Sequence, residues 1–159
     1  MKRIIILLFI ISTLSVLSYS QGYINLTKNK AKEKFEKIKN RNKSLNIITK
    51  EINSTLIFLI RDSTVQNFDL YLYFDKKGKC YKERNILTCD SCYQIFINDI
   101  LSNKYYRWTK IDSTTFFARF PYRLVLKTKA DKAFSFEITR SEINGEDYRK
   151  AVRKSLHNN

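Results

Sequence analysis

Cys89 and Cys92 bracket two residues at what reads as the start of a helix, and this C-x-x-C spacing is the part of the chain best suited to chemistry. A helix N-terminus lowers a thiol pKa and favours the thiolate that exchanges disulfides. The pair is therefore a candidate redox dithiol. Its surroundings argue the other way. A thioredoxin-like site expects a βαβ context and a cis-proline facing the dithiol, whereas the strands here read as antiparallel and the sole proline, Pro121, precedes no recognisable partner loop. The competing expectation, in an oxidising compartment, is a structural disulfide in which Cys80 pairs with Cys89 or Cys92 and ties a hairpin to the helix. Three cysteines leave one unpaired.

Other catalytic sets lack parts. A structural zinc wants four ligands, usually Cys and His, and the only histidine, His157, stands third from the end of the sequence. The same shortage removes histidine-based triads and a positioned histidine base. Asp62, Asp69, Asp75, Asp90, Asp99 and Asp112 fall largely at strand ends and turns, where aspartate caps backbone groups. No two of them are spaced so as to share a cleft. Three glycines are too few for a phosphate-cradling loop. No metal, no cofactor and no catalytic apparatus is expected.

A binding surface is better supported. In Phe68–Phe74, alternate residues Phe68, Leu70, Leu72 and Phe74 share one face of a strand, and Asp69, Tyr71 and Tyr73 share the other. With Tyr81 on the returning strand, and Arg123 and Lys127 flanking a later one, these tyrosines make a candidate site of aromatics interleaved with cations. The bland alternative is that they pack under the C-terminal helix or a loop.

Lys2 and Arg3 precede an apolar run from Ile4 to Leu17 that ends in Ser18-Tyr19-Ser20. These are the parts of a secretory signal peptide cut after Ser20. The run is shorter than the roughly 20 apolar residues of a spanning helix, so membrane attachment is expected only through this segment if it stays uncut. No cysteine precedes Cys80, which excludes a lipid-modified cysteine here. The chain carries a net +15, or +13 without Lys2 and Arg3. Such a field attracts acidic proteins, anionic envelope components or nucleic acid, and secretion argues against the last. The lysines are spread along the chain, as on a solvated surface, instead of forming one basic block.

The elements that must position these residues read as follows. A helix covers Lys28–Asn42, with a narrow apolar stripe of Ala31, Phe35 and Ile38. Strands follow at Ile47–Ile52, Thr55–Arg61, Phe68–Phe74 and Lys79–Leu87, the last two joined by a turn at Asp75–Gly78. Leu56–Ile60 is apolar on both parities and is expected to be central and covered, at least in part, on both faces. A second helix is expected to start near Ser91, capped by Ser91 and Gln94. Four strands follow, Tyr105–Ile111, Thr114–Phe120, Arg123–Lys127 and Ala133–Thr139, and then a helix from about Gly145 to Leu156 with a stripe of Tyr148, Val152 and Leu156.

The result is an α+β fold: an antiparallel sheet built from two helix-plus-strands modules, about residues 28–87 and 89–139, with helices on one face and a C-terminal helix at 145–156. Residues 21–159 are expected to form a single domain. Ile52-Asn53-Ser54-Thr55 recurs as Ile111-Asp112-Ser113-Thr114, with Phe58 and Phe117 in the same register behind, which points to an internal repeat. In architecture the order resembles the tandem α-β-β-β modules of β-lactamase-inhibitor-like and PepSY-like secreted proteins. That resemblance implies a helix-backed sheet used as a binding or inhibitory surface, and no site residue carries over. The expected function is that of a secreted or periplasmic binding protein for an acidic partner. Thiol–disulfide exchange at Cys89 and Cys92, and adhesion of a basic protein to an anionic envelope surface, are the alternatives. Asn25-Leu26-Thr27, Asn42-Lys43-Ser44 and Asn53-Ser54-Thr55 match the glycosylation sequon.

Overall fold

A computed structural model of the chain describes residues 22–41, 45–62, 67–119, 123–129 and 134–157. Residues 1–21, which hold the expected signal segment, the sequon at Asn42, Pro121 and the His157 side chain lie outside the described parts. The order is α1 (Lys28–Arg41), β1 (Leu45–Ile52), β2 (Thr55–Asp62), β3 (Phe68–Phe74), β4 (Cys80–Leu87), α2 (Asp90–Ser102), β5 (Trp108–Lys110), β6 (Thr115–Ala118), β7 (Leu124–Thr128), β8 (Ser135–Arg140) and α3 (Gly145–His157). The strands form one sheet of eight in the order β1-β2-β3-β4-β8-β7-β6-β5. Every neighbouring pair is antiparallel. The α+β class with an antiparallel sheet is as the sequence implies.

Two layers of apolar side chains meet on what we term the inner face. From β2 and β3 it receives Leu56, Phe58 and Ile60, and Phe68, Leu70, Leu72 and Phe74, all buried by period-two alternation. α1 has no Gly or Pro and places Ala31 and Phe35 on one side by their i, i+4 spacing. Phe35 lies flat on Phe58, ring centroids 3.7 Å apart. α2 covers the same face further along, with Phe96 5.6 Å from Phe68 and Tyr93 6.4 Å from Phe134.

α3 docks on the opposite, outer face. Its Tyr148 ring stacks on Phe117 of β6 at 4.8 Å. The Tyr148 hydroxyl sits 2.8 Å from the Ala118 carbonyl and 2.7 Å from that of Leu124, and its one hydrogen serves these acceptors. Val152 is buried beside it, but Leu156 is exposed, so the expected docking stripe is one residue shorter.

β2 is second from the edge instead of central. α1 covers its inner side, while Ile57 and Leu59 on its outer side are only half-buried. α2 is capped two residues earlier than expected: Cys89 is its N-cap in place of Ser91, its sulfur accepting the Cys92 N–H at 3.1 Å, and Gln94 reaches Asp90 instead of completing a serine capping box. Gly78 takes φ +68° in the β3–β4 turn, where Asp75 accepts the N–H groups of Lys77 and Lys79 at 2.9 Å each. A side chain there would meet the αL penalty that glycine avoids.

The two repeated segments occupy the β1–β2 and β5–β6 turns. Ile52 pairs with Thr55, leaving Asn53 and Ser54 in the first turn. In the second, Ile111 donates to the Thr115 carbonyl, so Asp112, Ser113 and Thr114 stand between. One added residue flips the faces of the following strand. Phe58 therefore points inward under α1 and Phe117 outward under α3, so the two keep the same place in the sequence repeat but not the same face of the sheet.

Candidate binding face

Tyr71 and Tyr73 stand on the outer face of β3, the third strand from the β1 edge, and are half-buried. A bulge between Tyr73 and Phe74 places two residues of β4 against one of β3. It turns Tyr81 outward beside Lys82. The Tyr73 ring consequently has Tyr81 at 6.5 Å and the Lys82 ammonium 4.7 Å above its centroid.

Cross-strand register sets the remaining neighbours. One row runs Ile57, Tyr71, Arg84, Glu137 and Lys127, and the next runs Thr55, Tyr73, Lys82, Thr139 and Val125. Glu137 lies between two cations, 3.3 Å from the Lys82 ammonium and 3.8 Å from Arg84. Arg61 pairs with Asp69 at 2.7 Å. Burial pushes the Tyr71 phenol above its ordinary range, and the Asp69 charge adds to this. At the β1 edge, Ile48 and Ile52 are 47% and 55% exposed on the same side.

α3 does not reach this region, because its apolar residues meet Ile111, Phe117 and Val125. Among the described residues no helix covers the outer face of β1–β4, so the tyrosines are not packed under the C-terminal helix. The structure brings together Tyr71, Tyr73, Tyr81 and Lys127, with Lys82, Arg84 and Arg61 added. Arg123 is elsewhere. It lies ahead of β7 at φ +48°, and its guanidinium donates to the Ile143 carbonyl before α3.

Cys89 and Cys92 are joined to each other, and Cys80 is a buried free thiol donating to the Lys82 carbonyl at 3.5 Å. The expected link from Cys80 to the helix is thus not made: β4 turns Cys80 into the inner core, while Cys89 and Cys92 share one turn of α2. Desolvation raises the Cys80 thiol far above its ordinary value and leaves it protonated and inert. Within the pair, Cys89 is half-buried and Cys92 buried. Among the described residues no group of three or more His, Cys, Asp or Glu is placed to hold a metal, and no helix is long and apolar enough to cross a membrane.

Comparison with protein-family models, with curated proteins and with solved structures finds no match. The chemistry of the face must therefore be read from its own residues.

One residue of consequence lay outside the sequence-derived candidates. Glu83 of β4 faces inward and is fully buried, its Oε1 accepting the N–H groups of Tyr23 and Ile24 at 2.8 and 2.9 Å. The signal was present: counting back by twos from the inward Leu87 gives Asn85 and then Glu83.

Proposed function

We propose that this protein is a non-catalytic binding module that captures an acidic protein partner on the outer face of its sheet. The observation carrying this reading is that three tyrosines and a surplus of cations share one surface that no described helix covers. From β1 across to β7, which lies beyond β8, outward-facing Lys50, Arg61, Lys82, Arg84 and Lys127 oppose two carboxylates, Asp69 and Glu137. Tyrosine supplies contact area with little rotamer entropy to lose, which suits an interface centre, and cations around it steer an acidic partner. The secretory start of the sequence supports a site of action outside the cytoplasm. The same helix-then-four-strands order occurring twice, with related turns in equivalent hairpins, supports descent of the sheet from two duplicated modules, in the manner of the tandem inhibitor-like proteins.

Replacing Tyr71 and Tyr73 together by Ala is expected to weaken partner binding by at least about 30-fold, the loss of one hot spot of about 2 kcal/mol. Circular dichroism should be unchanged, since both side chains are only half-buried. Salt should weaken the complex without abolishing it. Release by salt alone, with the tyrosine variant still bound, would favour simple adhesion to an anionic surface, because screening acts within about 10 Å at 0.1 M.

A second reading rests on the Cys89–Cys92 bond. A half-buried sulfur at a helix N-terminus, backed by a buried partner, is the arrangement of an exchanging dithiol. Binding through the sheet expects no catalysis of insulin reduction by dithiothreitol. A rate above background that disappears in Cys89→Ser would move the function to α2.

A further inference from the structure

On the inner face, away from the tyrosine surface, a cavity of about 240 Å3 opens between the N-terminal segment and the chain that links α2 to β5. One wall carries Tyr105, Tyr106 and Trp108, whose rings follow one another at 5.2 and 5.5 Å. Leu124 of β7 and Ile138 of β8 make an apolar floor. Among the described residues one charged side chain lines it, that of Glu83, at 0% exposure.

The Glu83 carboxyl is half satisfied. Oε1 takes the Tyr23 and Ile24 N–H groups, and the Gly22 N–H faces the same carboxyl. Among the described residues Oε2 has no hydrogen-bond donor, and the buried Trp108 Nε1–H has no acceptor. Each such group costs about 1–3 kcal/mol when left without a partner. Aromatic faces are electron-rich, so a wall of them beside a carboxylate attracts positive charge and repels anions.

We propose that this cavity binds a small organic ammonium ion that also carries a hydroxyl or carbonyl oxygen. The ammonium group lies against the ring faces and turns its charge towards Glu83 Oε2. The indole N–H is closed off from solvent, so binding turns the partly exposed Trp108 ring until the ligand oxygen accepts from it. A volume below the roughly 300–1,000 Å3 of drug-sized sites limits the ligand to a handful of heavy atoms. Desolvation holds the Glu83 carboxyl up at about 7 although the backbone N–H groups and Lys34 of α1 pull it down. The acid therefore lacks full compensation, and an arriving cation supplies it. This ligand would act separately from the partner on the outer face.

Choline is the test probe, with 3,3-dimethylbutan-1-ol as its uncharged isostere, added to the full chain at pH 8. Trp108 is the only tryptophan, so its emission reports the site directly. Choline is expected to shift that emission saturably and to bind at least about tenfold more tightly than the isostere, with Glu83→Gln erasing the difference. Tyr105 is 56% exposed, so Tyr105→Ala should fold normally and weaken choline about threefold or more, which decides the matter if Glu83→Gln does not fold. Equal affinity for choline and the alcohol, no saturable shift below about 50 mM, or an unaltered Tyr105→Ala would each overturn the proposal.

Discussion

Glu83→Gln is expected to remove most of the fall in stability expected of the native protein between about pH 5 and pH 8. Burial raises the Glu83 carboxyl from 4.5 to about 7. Between those values the folded chain holds a proton that the unfolded chain has released, so stability falls as pH rises. The contribution is complete below about pH 4.5 and is lost as pH passes through about 7, a change of about 3 kcal/mol. Asp99, raised by burial, acts in the same sense as Glu83, and the carboxylates held low act at lower pH. Asp75 and Asp112 are held low by backbone N–H groups, and Glu51 is brought to about 2 by hydrogen bonds from Lys28 and Lys32, so they lose their effect only in acid. Lys34, lowered by burial, acts in the opposite sense on the alkaline side. Glutamine keeps an acceptor for the Tyr23 and Ile24 N–H groups but cannot titrate. Urea titrations of both proteins at several pH values give the comparison, and superimposable pH profiles would show that Glu83 does not control this window.

Phe58→Ala is expected to cost about 3–5 kcal/mol, the range for removing a large aromatic from a packed core. Phe58 is 2% exposed, and its ring lies on Phe35 with 9° between the planes. The substitution removes the buried area, about 0.5–1.5 kcal/mol of ring–ring attraction, and the main attachment of α1 to β2. That is a large part of the usual 5–15 kcal/mol of a domain. Ile48→Ala, on the exposed outer side of β1, is the control and should stay within about 0.5 kcal/mol. A loss below about 1 kcal/mol for Phe58→Ala in urea unfolding would mean that α1 is not held by this stack.

Much of the fold was legible because its signals are periodic. β3 alternates without a break, from Phe68 to Phe74, and all of its inward residues are buried as the pattern implies. The helix stripes of Ala31 and Phe35, and of Tyr148 and Val152, were visible by the same logic. What escaped were features set by one residue of offset or by tertiary pairing. The bulge beside Tyr73 makes Cys80 inward and Tyr81 outward, and strict alternation along β4 cannot show it. The three-residue second turn reverses the face of Phe117 in the same way. That β4 pairs with β8, joining two sets of four strands into one sheet, depends on contacts distant in sequence. Of the candidate face, Tyr71, Tyr73, Tyr81 and Lys127 were found from parity and residue type. Arg61, Lys82 and Arg84 were not, because an abundance of lysine and arginine hides the few that converge.

Recognition through the outer face is tested most directly by photo-crosslinking. A benzoylphenylalanine placed at Tyr73 would be compared with one at Ile95, which is 48% exposed on α2. Material from the secreted or envelope fraction would be irradiated with each protein and the adducts identified by mass. The Tyr73 probe is expected to capture an acidic protein that the Ile95 probe does not, and Lys82→Glu should remove the adduct. Capture from Ile95 alone, equal capture from both positions, or a Tyr73 adduct indifferent to Lys82→Glu would contradict recognition by this face.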